Sequence, residues 1–235
     1  MESQESDPLA SLLERIDHAL DDGDIDDARA ALQLARELAG ATHPEVLYAE
    51  AGIAWEEHGP DSAETILKRI TEEHPDHADS FYGLARIAEE RDDARTMVEY
   101  DLRVLELDAG IDSSARVGSP EELDYIEAVA RDVLEGLPSP FAERLEHVPV
   151  VLEPRPSRDL VQDGFDPRAL GLFEGPTDGD SDTPAPTRIV LFTSNLLVDF
   201  VEEEELREQI EITLLHEIGH FFNLDEDDLK RLGLE

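Results

Sequence analysis

The sequence contains no cysteine, and only two of its 19 basic residues, Lys68 and Lys230, are lysines. Without cysteine there is no disulfide framework and no thiolate metal site, so any bound metal must be held by histidine and carboxylate. Basic charge is scarce: 59 acidic residues face 19 basic ones, a formal net charge of −40. Such a surface repels nucleic acid and anionic lipid, which makes both poor partners. It suits a basic peptide or a high-salt cytoplasm. No apolar run reaches the roughly eighteen residues of a membrane span. The opening residues have neither a positive n-region nor an apolar h-region. The expectation is a soluble, cytoplasmic protein. Hydrophobic content of 40% over 235 residues is enough to fill the cores of two small domains or one large one.

From Pro8 to about Asp108 the pattern is helical. Asp7 is placed to cap a first helix with Leu9, Leu12, Leu13, Ile16 and Leu20 apolar. A second helix follows from about Asp26 to Leu38, with Gly40 at its end. Two later helix pairs read as copies. Leu47, Tyr48, Ile53 and Ala54 recur as Phe81, Tyr82, Ile87 and Ala88, each 34 residues on. Ile66 and Ile70 recur at the same offset as Tyr100 and Val104. A helix–turn–helix period of this length resembles the tetratricopeptide repeats. Gly52 and Gly83 stand where small residues let helices approach. The full aromatic signature is not present, and Trp55 is not at its usual place. The resemblance implies a stacked helical domain whose concave face binds peptides. His18, His43, His58, His74 and His77 have no partner at ligand spacing within a helix and read as structural or surface residues; His74 to His77 is loop-like and can chelate a metal adventitiously.

Residues 109–120 carry small residues without strong periodicity and read as the interdomain linker. The domains are then 8–110, a linker at 111–119, and 120–235. Ser119, Pro120 and Glu122 form a capping-box signature for a helix running to about Leu134. Strand candidates follow at 147–153 and, most clearly, at 188–193, with a short extended segment near 171–175. Residues 176–187 read as a flexible loop.

Near the C-terminus the chain reads Leu215-His216-Glu217-Ile218-Gly219-His220-Phe221-Phe222, an H-E-x-x-H motif inside an apolar helix. Four residues apart on a helix, His216 and His220 share one face and can grip one metal ion. Glu217 is angled away from both, free to act on water activated by the metal. Burying these polar groups is costly unless a function satisfies them.

With the 169–175 segment, the 188–193 strand and the acidic stretch after Leu224, this motif makes residues 120–235 resemble the small bacterial zincin-like metallopeptidases. The resemblance implies an α+β chain: a helical repeat domain, then a small α/β zincin-like domain with a mixed sheet packed on the active-site helix. It implies Zn2+ held by His216 and His220, with Glu217 as general base and a peptide or protein as substrate. The family motif continues to a glycine and then an acid. Asn223 replaces the glycine, and asparagine is the next best residue at positive φ. The acid position falls on Glu226; Asp225 beside it is the alternative, though it is also a good cap for a last helix. By the same resemblance the substrate lies along an edge strand, expected at 188–193. The competing reading is a non-catalytic repeat adaptor whose zincin-like domain holds metal structurally.

Overall fold

The computed structural model describes residues 7–176, 187–224 and 231. The chain divides into two compact units, Met1–Asp108 and Ala109–Glu235. Among the described residues no helix is long and apolar enough to cross a membrane.

The first unit is all helical. α1 (Pro8–Asp21) and α2 (Ile25–Ala39) pack antiparallel, followed by α3 (Pro44–His58), α4 (Pro60–Glu73), α5 (Ala78–Glu90) and α6 (Ala94–Ala115). The Asp7 side chain accepts from the Leu9 N–H, and Gly40 closes α2 at φ 96°. α3 and α5 begin 34 residues apart, as do α4 and α6. α3 is buried on two faces. Val46, Ala49 and Ile53 pack with α1 and α2, while Leu47 and Ala51 pack with α4 and α5. The spacings i, i+3, i+7 and i, i+4 give two apolar stripes, as a helix sandwiched between neighbours requires. Glycine sets the closest approaches: a Cβ on Gly52 would lie 3.2 Å from Leu20 Cδ1, and one on Gly83 would lie 3.0 Å from Leu67 Cδ1.

His77, expected to be structural or on the surface, caps α5 and is largely buried. Its Nδ1 accepts the Ser80 backbone N–H at 3.2 Å, and Nε2 lies 3.2 Å from Glu45 Oε1 in a bent contact that falls short of a formed hydrogen bond. Burial lowers the imidazole pKa, but Glu45, Asp79 and Asp76 outweigh it and leave it raised; His77 in turn depresses the Glu45 carboxyl. A raised histidine stabilises the fold fully below its unfolded pKa of 6.5 and loses that contribution as pH rises through the folded value. A depressed glutamate contributes above 4.5 and loses it as pH falls through its folded value. The pair therefore stabilises most between these two values. Glu45 is exposed enough for solvent to screen the pair, so it is worth about 0.5 kcal/mol. Melting followed by circular dichroism should show Glu45→Gln losing about 2–4 °C at pH 5.5 and less at pH 8.5; an equal loss at both would rule out the charged pair.

The second unit begins inside α6. Residues 111–115, expected to be linker, are its last helical turns. The small polar residues there are compatible with helix, and Asp112 is half of a buried ion pair with Arg155. α7 (Pro120–Gly136) opens on the expected capping box of Ser119 and Glu122. Then come α8 (Ser139–Leu145), β1 (Val150–Glu153), α9 (Arg158–Gln162), β2 (Gly171–Glu174), β3 (Arg188–Phe192), α10 (Thr193–Asp199) and α11 (Glu203–Phe221). The strands form one mixed sheet in the order β1-β3-β2, parallel between β1 and β3 and antiparallel between β3 and β2.

β3 is thus the central strand, not the edge expected at 188–193. The reason is visible in its residues: Ile189, Val190, Leu191 and Phe192 are all essentially buried. An unbroken apolar run marks a strand covered on both faces. Ile189 and Leu191 join the core formed with Ile126, Ile210, Leu214 and Ile218 of α7 and α11. On the opposite face the Phe192 ring meets Phe165. Arg188 spans the sheet, pairing with Glu153 on β1 and Glu174 on β2.

Candidate metal and peptide site

α11 carries the motif and lies against β2, β3 and α7. Ile210, Leu214 and Ile218 fix its buried face, and Phe221 meets Phe173 of β2 edge-on at 5.8 Å between ring centres. This seats the next face of the helix against Gly171 of β2, whose outer edge has no strand partner among the described residues. His216 and His220 lie on that face, with their two Nε2 atoms 3.0 Å apart. The buried Glu217 carboxylate and both histidines line a cleft of about 390 Å³. Leu170, Gly171 and Leu172 form its strand side, and Phe165 and Ile212 add apolar wall.

The helix ends as the sequence anticipates. Asn223 adopts φ 59°, its N–H donates to His220 O, and the Leu224 N–H reaches back to Gly219 O at 3.0 Å. This is a Schellman closure with asparagine in the left-handed position usually held by glycine. It turns the chain sharply just after His220. Glu226 and Asp225, the expected third ligand and its alternative, lie outside the described residues. So do most of the 176–187 loop and the expected last helix.

The donor set fits zinc. Tetrahedral coordination at 2.0–2.1 Å puts two ligand nitrogens roughly 3.3 Å apart, close to the observed separation of 3.0 Å. Two imidazole nitrogens beside a carboxylate, with no cysteine in the chain, supply nitrogen and oxygen donors of the kinds that zinc accepts.

A second histidine–carboxylate cluster, Glu45, His77 and Asp79, has ligand atoms within 4.8 Å of one another. Its hydrogen bonding argues against a metal. In the neutral ring Nδ1 of His77 accepts the Ser80 N–H and the proton sits on Nε2, and in the protonated ring both nitrogens carry a proton. That leaves Nε2 without the lone pair a ligand needs.

Sequence reading missed two contributors. The first is Gly171. A Cβ there would sit 2.7 Å from Thr213 Cγ2 and 3.0 Å from Glu217 Cγ, so only glycine lets β2 lie this close to the motif helix. Glycine inside a strand pattern is itself a signal of close approach. Gly171→Ala is expected to cost about 1–3 kcal/mol of stability by overpacking and roughly 10–100-fold in any Glu217-dependent activity by displacing the carboxylate. Unaltered melting temperature and rate would show that the contact yields freely. The second is Asn195, whose amide donates to Pro167 O and Ala169 O and so holds the segment entering β2. Nothing in its local sequence points to that role.

The helix bearing H-E-x-x-H packs on a small mixed sheet, as the resemblance to the zincins leads one to expect. Residues 145–234 match the family described as zincin-like metallopeptidase. The match takes in the sheet, α9, α10 and α11; α7 lies before it. No curated protein matches the chain.

Proposed function

We propose that the C-terminal unit is a zinc-dependent peptidase and that the helical unit recruits its protein substrate or partner. The observation that carries the first part is the convergence of His216 and His220 Nε2 beside the buried Glu217, in a cleft walled by a strand edge. In this reading His216 and His220 hold the metal, and Glu226 supplies the third ligand across the turn at Asn223. When bound, zinc supplies Lewis acidity, lowering the pKa of water and polarising a carbonyl. Glu217 takes the proton from the attacking water and delivers it to the leaving amine. β2 orients the substrate: its outer edge has no strand partner among the described residues, so its backbone can extend the sheet by one peptide strand. Leu170, Leu172 and Ile212 shield the reacting bond from bulk water and receive apolar side chains.

The tetratricopeptide assignment of the first unit rests on the paired helices whose starts repeat at 34 residues. The test of the whole reading combines metal analysis of the purified chain with digestion of a peptide library. Zinc near one equivalent, with cleavage abolished by a chelator and restored by zinc, is the expected result. Stoichiometric zinc without cleavage would favour the adaptor reading, and no zinc would overturn both.

A further inference from the structure

The first unit contains a cleft of about 680 Å³ lined by α1, α3 and α5, with Ala63 and Leu67 of α4 at its base. Gly52 and Gly83 hollow it out. Tyr48, Trp55 and Tyr82 give it aromatic walls. Five carboxylates line it: Glu14 and Asp17 from α1, Glu45 and Glu56 from α3, and Asp79 from α5. Among the described residues the one cation lining it, Arg86, is already held by both oxygens of Asp101 at 3.0 Å and stacks over Tyr82.

Glu45 faces His77, and Asp79 has contacts of its own. Glu14, Asp17 and Glu56 differ: none has a cationic partner among the described residues, in a unit where most arginines are paired with acids. The Asp17 carboxyl titrates above the usual aspartate range, first through desolvation and then through repulsion by Asp21 and Glu14. A cation brought into the groove would relieve that repulsion. The Tyr48 and Trp55 rings add to the attraction, since guanidinium and ammonium groups bind aromatic faces.

We propose that this groove docks a cationic peptide segment, with Lys or Arg side chains against Glu14, Asp17 and Glu56 and apolar side chains between them on Tyr48, Gly52 and Trp55. The apolar floor sets the occupant apart from a simple polycation, and the rim charge sets it apart from an acidic or neutral peptide. The proposal names the partner class for the recruiting role given above to the helical unit, and it does not depend on the peptidase chemistry.

Trp55 is the sole tryptophan, so its fluorescence reports occupancy directly. The experiment titrates the full chain carrying Glu217→Gln, which prevents cleavage of the probe, with a short peptide alternating Lys or Arg with Leu. Its counterparts are the same peptide with Glu at the basic positions, and spermine. The basic peptide should shift Trp55 emission saturably, and the acidic one should not. Glu14→Gln, Asp17→Asn and Glu56→Gln together should weaken binding by about tenfold or more, as expected for losing three screened ion pairs. Glu121→Gln, Asp124→Asn and Glu135→Gln on α7 change net charge equally and should weaken it less than about threefold. Circular dichroism and melting temperature establish that each variant is folded. Equal weakening by both sets would show that bulk charge alone attracts the peptide and would overturn the groove. So would tight binding of the acidic peptide, or spermine binding as well as the basic peptide. A silent Trp55 would overturn it without touching the peptidase assignment.

Discussion

Glu217→Gln should reduce peptide cleavage by about 10²–10⁴-fold, the contribution typical of a positioned general base, while zinc content and melting temperature stay close to those of the parent. The combination is diagnostic. The substitution keeps the shape of a side chain that is only 7% exposed and packed against Gly171, so the fold has little reason to change. It removes the group proposed to accept the proton. It leaves His216 and His220 untouched, and with them two of the proposed metal ligands. The measurements are initial rates on a cleaved peptide, zinc by atomic spectroscopy, and thermal melting. A loss of rate accompanied by loss of zinc would instead make Glu217 a ligand or a structural prop. An unchanged rate would remove it from the mechanism. His216→Ala supplies the contrast, since there zinc and rate should fall together.

The second large effect is on stability. Arg155→Ala is expected to destabilise the C-terminal unit by about 3–5 kcal/mol, the usual cost of stripping one partner from a buried ion pair. Arg155 is only 8% exposed and Asp112 12%. The guanidinium grips both oxygens of Asp112 and also donates to Asn195 Oδ1. The same Asn195 holds Pro167 O and Ala169 O through its amide. Its backbone neighbours are tied down too: the Ser194 N–H donates to Pro154 O at 2.9 Å, and the Phe192 N–H to Leu170 O at 2.9 Å. Removing Arg155 leaves a carboxylate and an amide oxygen buried without their charged donor and loosens the approach to β2. A second variant apportions the effect. Arg155→Ala with Asp112→Ala should cost clearly less than the sum of the two single changes, because the double change leaves no stranded charge. Denaturant melts of the three variants provide the test, and strict additivity would show that the pair is not coupled.

Asn223 shows how local chemistry can be read without a structure. Its place after the motif requires a sharp turn, and asparagine tolerates positive φ; the turn at φ 59° follows. The Ser119–Glu122 capping box is equally local. The motif histidines converge because helical geometry alone puts i and i+4 on one face. β3 shows the opposite case. Its identity as a strand came from β-branched content within five residues, but its place in the sheet depends on which strands flank it. In the pairs Val150–Ile189 and Gly171–Leu191 those partners lie 39 residues earlier in β1 and 20 earlier in β2. The buried run of four apolar residues is the mark of a central strand and outweighs the edge position implied by the resemblance.

By itself, the sequence determined what short-range sterics and hydrogen bonding can enforce: the helices and their caps, the 34-residue spacing of the helical unit, the facing histidine pair and the left-handed turn behind it. Only the tertiary structure decided which strand edge faces Glu217, why position 171 carries no side chain, and that Asp112 in the last turns of α6 serves Arg155. It likewise decided that Glu14, Asp17 and Glu56 line one groove without a cationic partner among the described residues. These are contacts between residues far apart in the chain. Their energies depend on burial and on which groups meet, and neither is written into any single stretch of sequence.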